Sequence, residues 1–174
     1  MRCFVACWPD EATRARLDRA AHDAHQRHLR ARRVHGGNLH LTLAFIGELP
    51  FASAHELVAA LGGLSVEAFE WRIDHVGRFE RARVLWAGGP PEPALVELAE
   101  RVREELKTLR VRFDEKRFAA HVTLLRDLPP QRGHEPADLV VPIEPFTWPM
   151  REALLVVSER DAQGATVYRP LRSD

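Results

Sequence analysis

The chain has almost no lysine, 2 residues against 23 arginines, and no net charge, because 25 basic side chains balance 25 acidic ones. That balance argues against a broad nonspecific nucleic-acid surface, which needs an excess of cations, but leaves room for a localised basic cleft. The arginine bias suits bidentate phosphate contacts, yet genomic base composition produces the same bias, so it carries no argument alone. Cysteine is nearly missing too. Cys3 and Cys7, the only two, would lie about 13 Å apart on one strand at ~3.3 Å per residue, too far to bridge, and read as buried thiols of a reducing compartment. No apolar run approaches a membrane span: the opening stretch 1–8 is cut off by Pro9-Asp10-Glu11, too short for a signal or an anchor, so a cytoplasmic protein is expected. What remains is 45% hydrophobic over 174 residues. That is enough to bury a core without disulfides, and one domain over 1–174 is the expectation.

Two short segments stand out against this background. Asn38-Leu39-His40-Leu41-Thr42-Leu43-Ala44-Phe45-Ile46 and Ala120-His121-Val122-Thr123-Leu124-Leu125 each carry a His-x-Thr triplet inside an apolar run. With 9 histidines and 6 threonines, about 0.3 such triplets are expected by chance, and two copies in only about one chain in twenty or thirty. As strands, each places its histidine and threonine on one face, because side chains alternate with period two. Leu39, Leu41, Leu43 and Phe45 would then face the core. Two such strands facing each other aim two imidazoles and two hydroxyls at one spot, which is the outline of an acid/base site: one ring accepts a proton while the other donates. Hydroxyls beside them suit an anionic oxygen, and phosphate fits.

The rest of the chain supplies a frame. Residues 2–8 read as a buried strand. Pro9-Asp10 opens a helix expected to run through Arg33, with Leu17, Ala20, Ala21, Ala24 and Leu29 as its apolar stripe. His22, His25 and His28 on that helix are spaced so that neighbours sit close enough for a metal to be imagined, but His22 and His28 diverge by about 120° around the axis, so they are read as a solvated face, and no metal or cofactor is expected. A second helix is predicted over about 53–61, closed by Gly62-Gly63. Residues 69–76 and 83–87 read as a meander. A third helix, 93–109, has Leu95, Val96, Leu98, Ala99, Val102 and Leu106 as its stripe. The polar stretch from Asp127 to Asp138 reads as a surface loop able to cover a cleft, and strands follow near 146–148, 152–157 and 165–168. In each half a helix precedes a His-x-Thr strand. The fold class is therefore α+β, as two pseudo-symmetric lobes of mainly antiparallel sheet with outer helices and the active-site cleft between them.

The chain resembles the bacterial RNA 2′,3′-cyclic phosphodiesterases, historically called 2′-5′ RNA ligases, of the two-histidine phosphoesterase superfamily. The likeness rests on both His-x-Thr segments, the Phe45-Ile46-Gly47 continuation, Arg83-Val84-Leu85-Trp86-Ala87-Gly88, the run from Phe118 through Arg126, and the close from Val157 to Gly164 and Tyr168. It departs where the family has Trp-Val-Pro before the first motif and proline before the second histidine; here stand Arg33-Val34-His35 and Ala120. The resemblance implies metal-independent hydrolysis of an RNA 2′,3′-cyclic phosphate end to a 2′-phosphomonoester, with the reverse ligation open to the same site. His40 would be the proton donor and His121 the proton acceptor, with Thr42, Thr123 and Arg126 binding phosphate. The partner is an RNA or oligonucleotide with a cyclic phosphate end, tRNA fragments included, and the protein is expected to be a monomer. Strict alternation turns Arg126 to the face opposite His121, so that role requires the strand to end or bulge near Leu125; Phe45 fails the same parity test and reads as core. The competing reading is a catalytically silent nucleotide- or RNA-binding module using the same cleft.

Overall fold

Strand β1 (Arg2–Cys7) is apolar on both faces because both are covered. Cys3, Val5 and Cys7 enter the main core, while Phe4 and Ala6 join a smaller cluster on the other side. In the computed structural model, which describes residues 1–64, 66–130 and 140–172, the further strands are β2 (Arg32–Arg33), β3 (Leu41–Glu48), β4 (Phe69–Phe79), β5 (Val84–Gly88), β6 (Val122–Arg126), β7 (Val141–Met150), β8 (Leu154–Arg160) and β9 (Thr166–Leu171). They form one sheet in the order β7-β4-β5-β6-β3-β1-β8-β9, with β2 added beside β6. All its pairings are antiparallel. The two four-stranded halves are joined at a single ladder pair, Leu41 with Val122. The α+β class and the mainly antiparallel sheet agree with the sequence reading.

The helices are α1 (Glu11–Arg27), α2 (Phe51–Gly62) and α3 (Pro93–Thr108). The Asp10 carboxylate accepts the Thr13 amide at 2.7 Å and so caps the start of α1. Glu92 does the same for the Ala94 amide ahead of α3, with Pro93 in the first turn, where its missing N–H costs nothing. α1 packs on β6 and β7, α3 on β3, and α2 on β8. Each half of the sheet is thus braced from behind by helices, and a single cluster containing Leu17, Leu41, Leu98 and Val122 runs beneath both. Because that face is filled, the opposite face of the junction is the one left open to a ligand. Deep in the core, Trp71 of β4 and Trp148 of β7 are cross-strand partners with ring centroids 6.5 Å apart, and the Trp71 indole N–H donates to the Pro90 carbonyl.

Three expectations are corrected here. α1 stops at Arg27 rather than Arg33, and Leu29 is 71% exposed instead of extending the stripe. The cause lies in the sheet. Past Leu41 the edge of β6 has no β3 partner, and Arg32 and Arg33 fill it opposite Arg126 and Leu125, with the Val34 amide donating to the Leu124 carbonyl at 2.9 Å. An unpaired interior strand edge outweighs the helix propensity of these arginines. In α3 the stripe is Leu95, Leu98, Ala99, Val102 and Leu106, while Val96 turns outward. Phe45 is the third, and its reason belongs to the site. The loop expected from Asp127 to Asp138 falls at 131–138 outside the described residues. Cys3 and Cys7 are free and buried. Among the described residues no helix is long and apolar enough to cross a membrane.

Candidate active site

Each histidine stands one residue ahead of its strand rather than inside it, since β3 begins at Leu41 and β6 at Val122. These two first residues pair with each other and are fully buried. Continuing the antiparallel register by one position on either side sets His40 opposite Thr123 and Thr42 opposite His121. All four point away from the core, on the face opposite Leu41 and Val122. The sequence-predicted residues therefore form a square. Directly opposed side chains in such a ladder have Cβ atoms about 4.5–5.5 Å apart and diagonal ones about 7–8 Å, so the two imidazoles occupy one diagonal and the two hydroxyls the other.

The strands then break step in the same way. In β3, Ala6 pairs with Thr42 but Val5 with Ala44, so Leu43 is an extra residue; in β6, Trp86 pairs with Thr123 but Leu85 with Leu125, so Leu124 is extra. Leu43 and Ala44, and likewise Leu124 and Leu125, are buried in succession. A bulge inverts the parity of everything after it. Phe45 and Arg126, each five residues beyond its histidine, are thereby brought round to the open face. Phe45 is 55% exposed and lines the cleft instead of the core. Arg126 lines it too, as the required bulge near Leu125 allows.

Both rings are held alike. His40 Nδ1–H donates to the Asn38 carbonyl at 2.6 Å and His121 Nδ1–H to the Ala119 carbonyl at 2.7 Å. A carbonyl can only accept, so the proton of each neutral ring sits on Nδ1, and Nε2 is left as a lone pair. Asn38 is fixed in turn by β9: its Nδ2 donates to the Thr166 carbonyl, and its Oδ1 accepts the Tyr168 amide. Around His40 stand Phe4 at 4.7 Å, Tyr168 edge-on at 5.2 Å and Trp8 stacked at 5.9 Å between centroids. Around His121 stand Phe79 at 5.0 Å and Trp86 at 6.5 Å, both edge-on. Trp86 lies flat on Gly77 and Gly88, where any Cβ would come within 3 Å of the indole. The ring can take this place only because both positions are glycine.

Sequence reasoning missed most of this aromatic lining. A signal was there. Alternation along β1 sets Phe4, Ala6 and Trp8 on one face, and an apolar strand beside a His-x-Thr strand has to present that face to the site.

Burial lowers the affinity of both imidazoles for a proton. His40 is pushed down to about 4, chiefly by desolvation, with the Arg126 and His121 charges adding to it against the opposing bond to Asn38. His121 is also lowered, first by desolvation and then by Arg126, against its bond to Ala119. Without ligand both rings are neutral at pH 7. The sign for stability follows from His40: its folded value lies below the ordinary 6.5, so the unfolded chain binds more protons between the two. Its contribution is full above pH ~6.5 and is lost as pH falls towards 4, at most about 3 kcal/mol. We expect the His40 ring resonance in ligand-free protein to titrate near pH 4 by NMR, with denaturant stability falling through the same window. A midpoint near 6.5 would contradict the burial of this ring.

His40, Thr123, Arg126 and Phe45 line a cleft of about 1020 Å³, and the ladder register sets Thr42 and His121 beside them. Among the described residues no group of three or more His, Cys, Asp or Glu side chains is placed to hold a metal. Arg126 makes no hydrogen bond or ion pair with a described residue, whereas Arg32 and Arg33 at the same end are engaged by Asp127 at 2.9 Å and Asp18 at 3.6 Å. The arrangement offers a single anionic centre two lone pairs, two hydroxyls and one guanidinium that is unpaired among the described residues.

The chain matches the family described as LigT like Phosphoesterase over residues 7–86. It is 32% identical over 142 residues to the RNA 2′,3′-cyclic phosphodiesterase of Escherichia coli K12, covering 81% of this chain and 77% of that protein. Against the protein of the same name from Archaeoglobus fulgidus it is 36% identical over 106 residues, 59% of this chain and 58% of that one. The crystal structure of E. coli LigT complexed with 3′-AMP aligns over 98% of this chain and 95% of that one, with a TM-score of 0.81 at 28% identity.

Proposed function

The chain belongs to the LigT-like phosphoesterase family, and from that premise we propose that it hydrolyses 2′,3′-cyclic phosphate ends of RNA to 2′-phosphomonoesters, with His40 and His121 as the acid/base pair. The observation that supports this most is the square of two histidines and two threonines on one face of the sheet junction. In an in-line displacement the attacking and departing oxygens lie on opposite sides of phosphorus, so acid and base must flank it. The diagonal of the square has the span this needs, because each ring reaches ~2.6–3.2 Å to its oxygen.

His121 Nε2 takes a proton from the attacking water as its oxygen bonds to phosphorus. His40 Nε2–H protonates the 3′-oxygen as the phosphorus–oxygen bond breaks, leaving the phosphate on the 2′-oxygen. His40 is neutral without ligand, so it takes up its second proton from solvent as the substrate binds: the phosphate anion replaces lost hydration and favours the imidazolium. Thr42 and Thr123 donate to the non-bridging oxygens, and Arg126 balances the charge that builds there. Attack by a 5′-hydroxyl in place of water gives the 2′-5′ ligation in the same geometry, with water favoured by its concentration. No step calls for a metal.

The test is turnover of an oligonucleotide with a 2′,3′-cyclic phosphate end in the presence of EDTA, followed by phosphorus NMR. The expected product is the 2′-phosphomonoester, at a rate unchanged by the chelator. Tight binding with no product would make the protein a silent binding module, and loss of rate with EDTA would overturn the metal-independent mechanism.

A further inference from the structure

The cleft is longer than the reaction requires. At about 1020 Å³ it lies at the upper limit of the ~300–1,000 Å³ typical of small-molecule pockets, and its far wall is built from the ends of β1 and β8. Arg2, Ser158 and Arg160 line that end. Arg2 and Ser158 are direct partners across the β1–β8 ladder, and Arg160 is two residues further on the same face of β8. Arg2 is five residues from Cys7, the residue that pairs with Leu41 beside the histidines. At ~3.3–3.4 Å per residue that is about 17 Å. A phosphate held between His40 and His121 cannot touch both places.

Among the described residues, nothing neutralises the charges at the far end. The carboxylates near this end are already engaged: Glu48, opposite Arg2, pairs with the Met1 amine at 3.5 Å, Glu159 with Arg169 at 3.3 Å and Asp114 with Lys116 at 2.9 Å, while Asp161, next to Arg160, accepts the Gln163 and Ala165 amides. Among the described residues, Arg2 and Arg160 have no carboxylate partner. Arg160 Nη1 instead donates to the Gly164 carbonyl at 2.8 Å, a neutral contact that fixes the guanidinium and leaves its charge unspent. In a chain of zero net charge, arginines without a carboxylate partner among the described residues thus stand at both ends of one cleft, Arg126 beside the histidines and the Arg2–Arg160 pair remote from them.

We propose that Arg2 and Arg160, with Ser158 between them, bind a phosphodiester of the RNA strand 5′ to the cyclic end, so that the substrate is an oligonucleotide rather than a free cyclic nucleotide. This rests on the function proposed above. Planar guanidinium forks suit a phosphodiester's two free oxygens, and a fixed spacing from the reacting phosphate selects for chain length without reading base sequence.

The experiment compares a 2′,3′-cyclic mononucleotide with oligonucleotides of two to five nucleotides carrying the same terminal residue, in wild type and in the R2Q/R160Q double variant. In wild type kcat/KM is expected to rise about tenfold with length, through KM, and then level off. The log–log salt slope should be steeper for the long substrates by about 0.7, as one more neutralised phosphate on a single strand predicts. The double variant should lose the gain and the extra slope while turning over the mononucleotide as before. Fluorescence anisotropy with 2′-phosphate-ended oligonucleotides reads the same difference without catalysis, so failure of the hydrolytic reading and failure of this one are separable. Equal kcat/KM for short and long substrates, or a length gain that survives in R2Q/R160Q, overturns the proposal.

Discussion

His40→Ala and His121→Ala are each expected to lower kcat for cyclic phosphate opening by about 10²–10⁴-fold, with KM changed far less. Each ring is asked to move one proton in the transition state, and each is tied by Nδ1 to a carbonyl two residues back, so no neighbour can replace its Nε2. The losses should not add: groups that act as a unit are mostly disabled by the first removal, and the double variant is expected to fall little below the worse single one. Because the histidines sit at strand starts and their own side chains face the cleft, neither change opens a hole in the main core, and the denaturant midpoint should move little. Steady-state kinetics with a cyclic mononucleotide checks this. Unchanged turnover in either single variant removes that ring from the reaction.

Arg126→Ala carries the second large effect, a fall of about 10²–10³-fold in kcat, the range for losing one preorganised donor to transition-state charge. Lysine in its place should recover only part of this, because it keeps the charge but not the planar fork. The pH profile gives an independent reading. Arg126 lowers the proton affinity of both His40 and His121, so removing it should move both limbs of the kcat/KM profile to higher pH, in macroscopic values that belong to the coupled pair. An Arg126 that merely held the strand end would leave the limbs where they are.

The His-x-Thr repeat was readable because period-two alternation fixes which residues share a face whatever surrounds them. The square follows once the two strands are neighbours, and the sequence held that only as a repeat. The parity of Phe45 and Arg126 was beyond alternation, since each depends on one inserted leucine, Leu43 or Leu124, whose side chain is as apolar as that of a regular strand residue. The requirement could be stated for Arg126, where chemistry asked for a cation at the site. Nothing comparable speaks for Phe45, and alternation alone puts it in the core. The end of α1 was hidden for another reason: Arg30 to Arg33 have good helix propensity, and what takes Arg32 and Arg33 out of the helix is the free edge of β6, nearly a hundred residues away. The subsite at Arg2 and Arg160 depends on which carboxylates are already engaged, and a balanced composition cannot tell paired charges from unpaired ones.

The most direct test of the central claim is a crystal structure of the protein with a nucleoside vanadate, whose five-coordinate metal oxide stands in for the phosphorus of the transition state. His40 Nε2 and His121 Nε2 are each expected within ~2.6–3.2 Å of opposite apical oxygens, with the Thr42 and Thr123 hydroxyls on the equatorial ones. Vanadate reached by only one of the two rings, or by both from the same side, would contradict it.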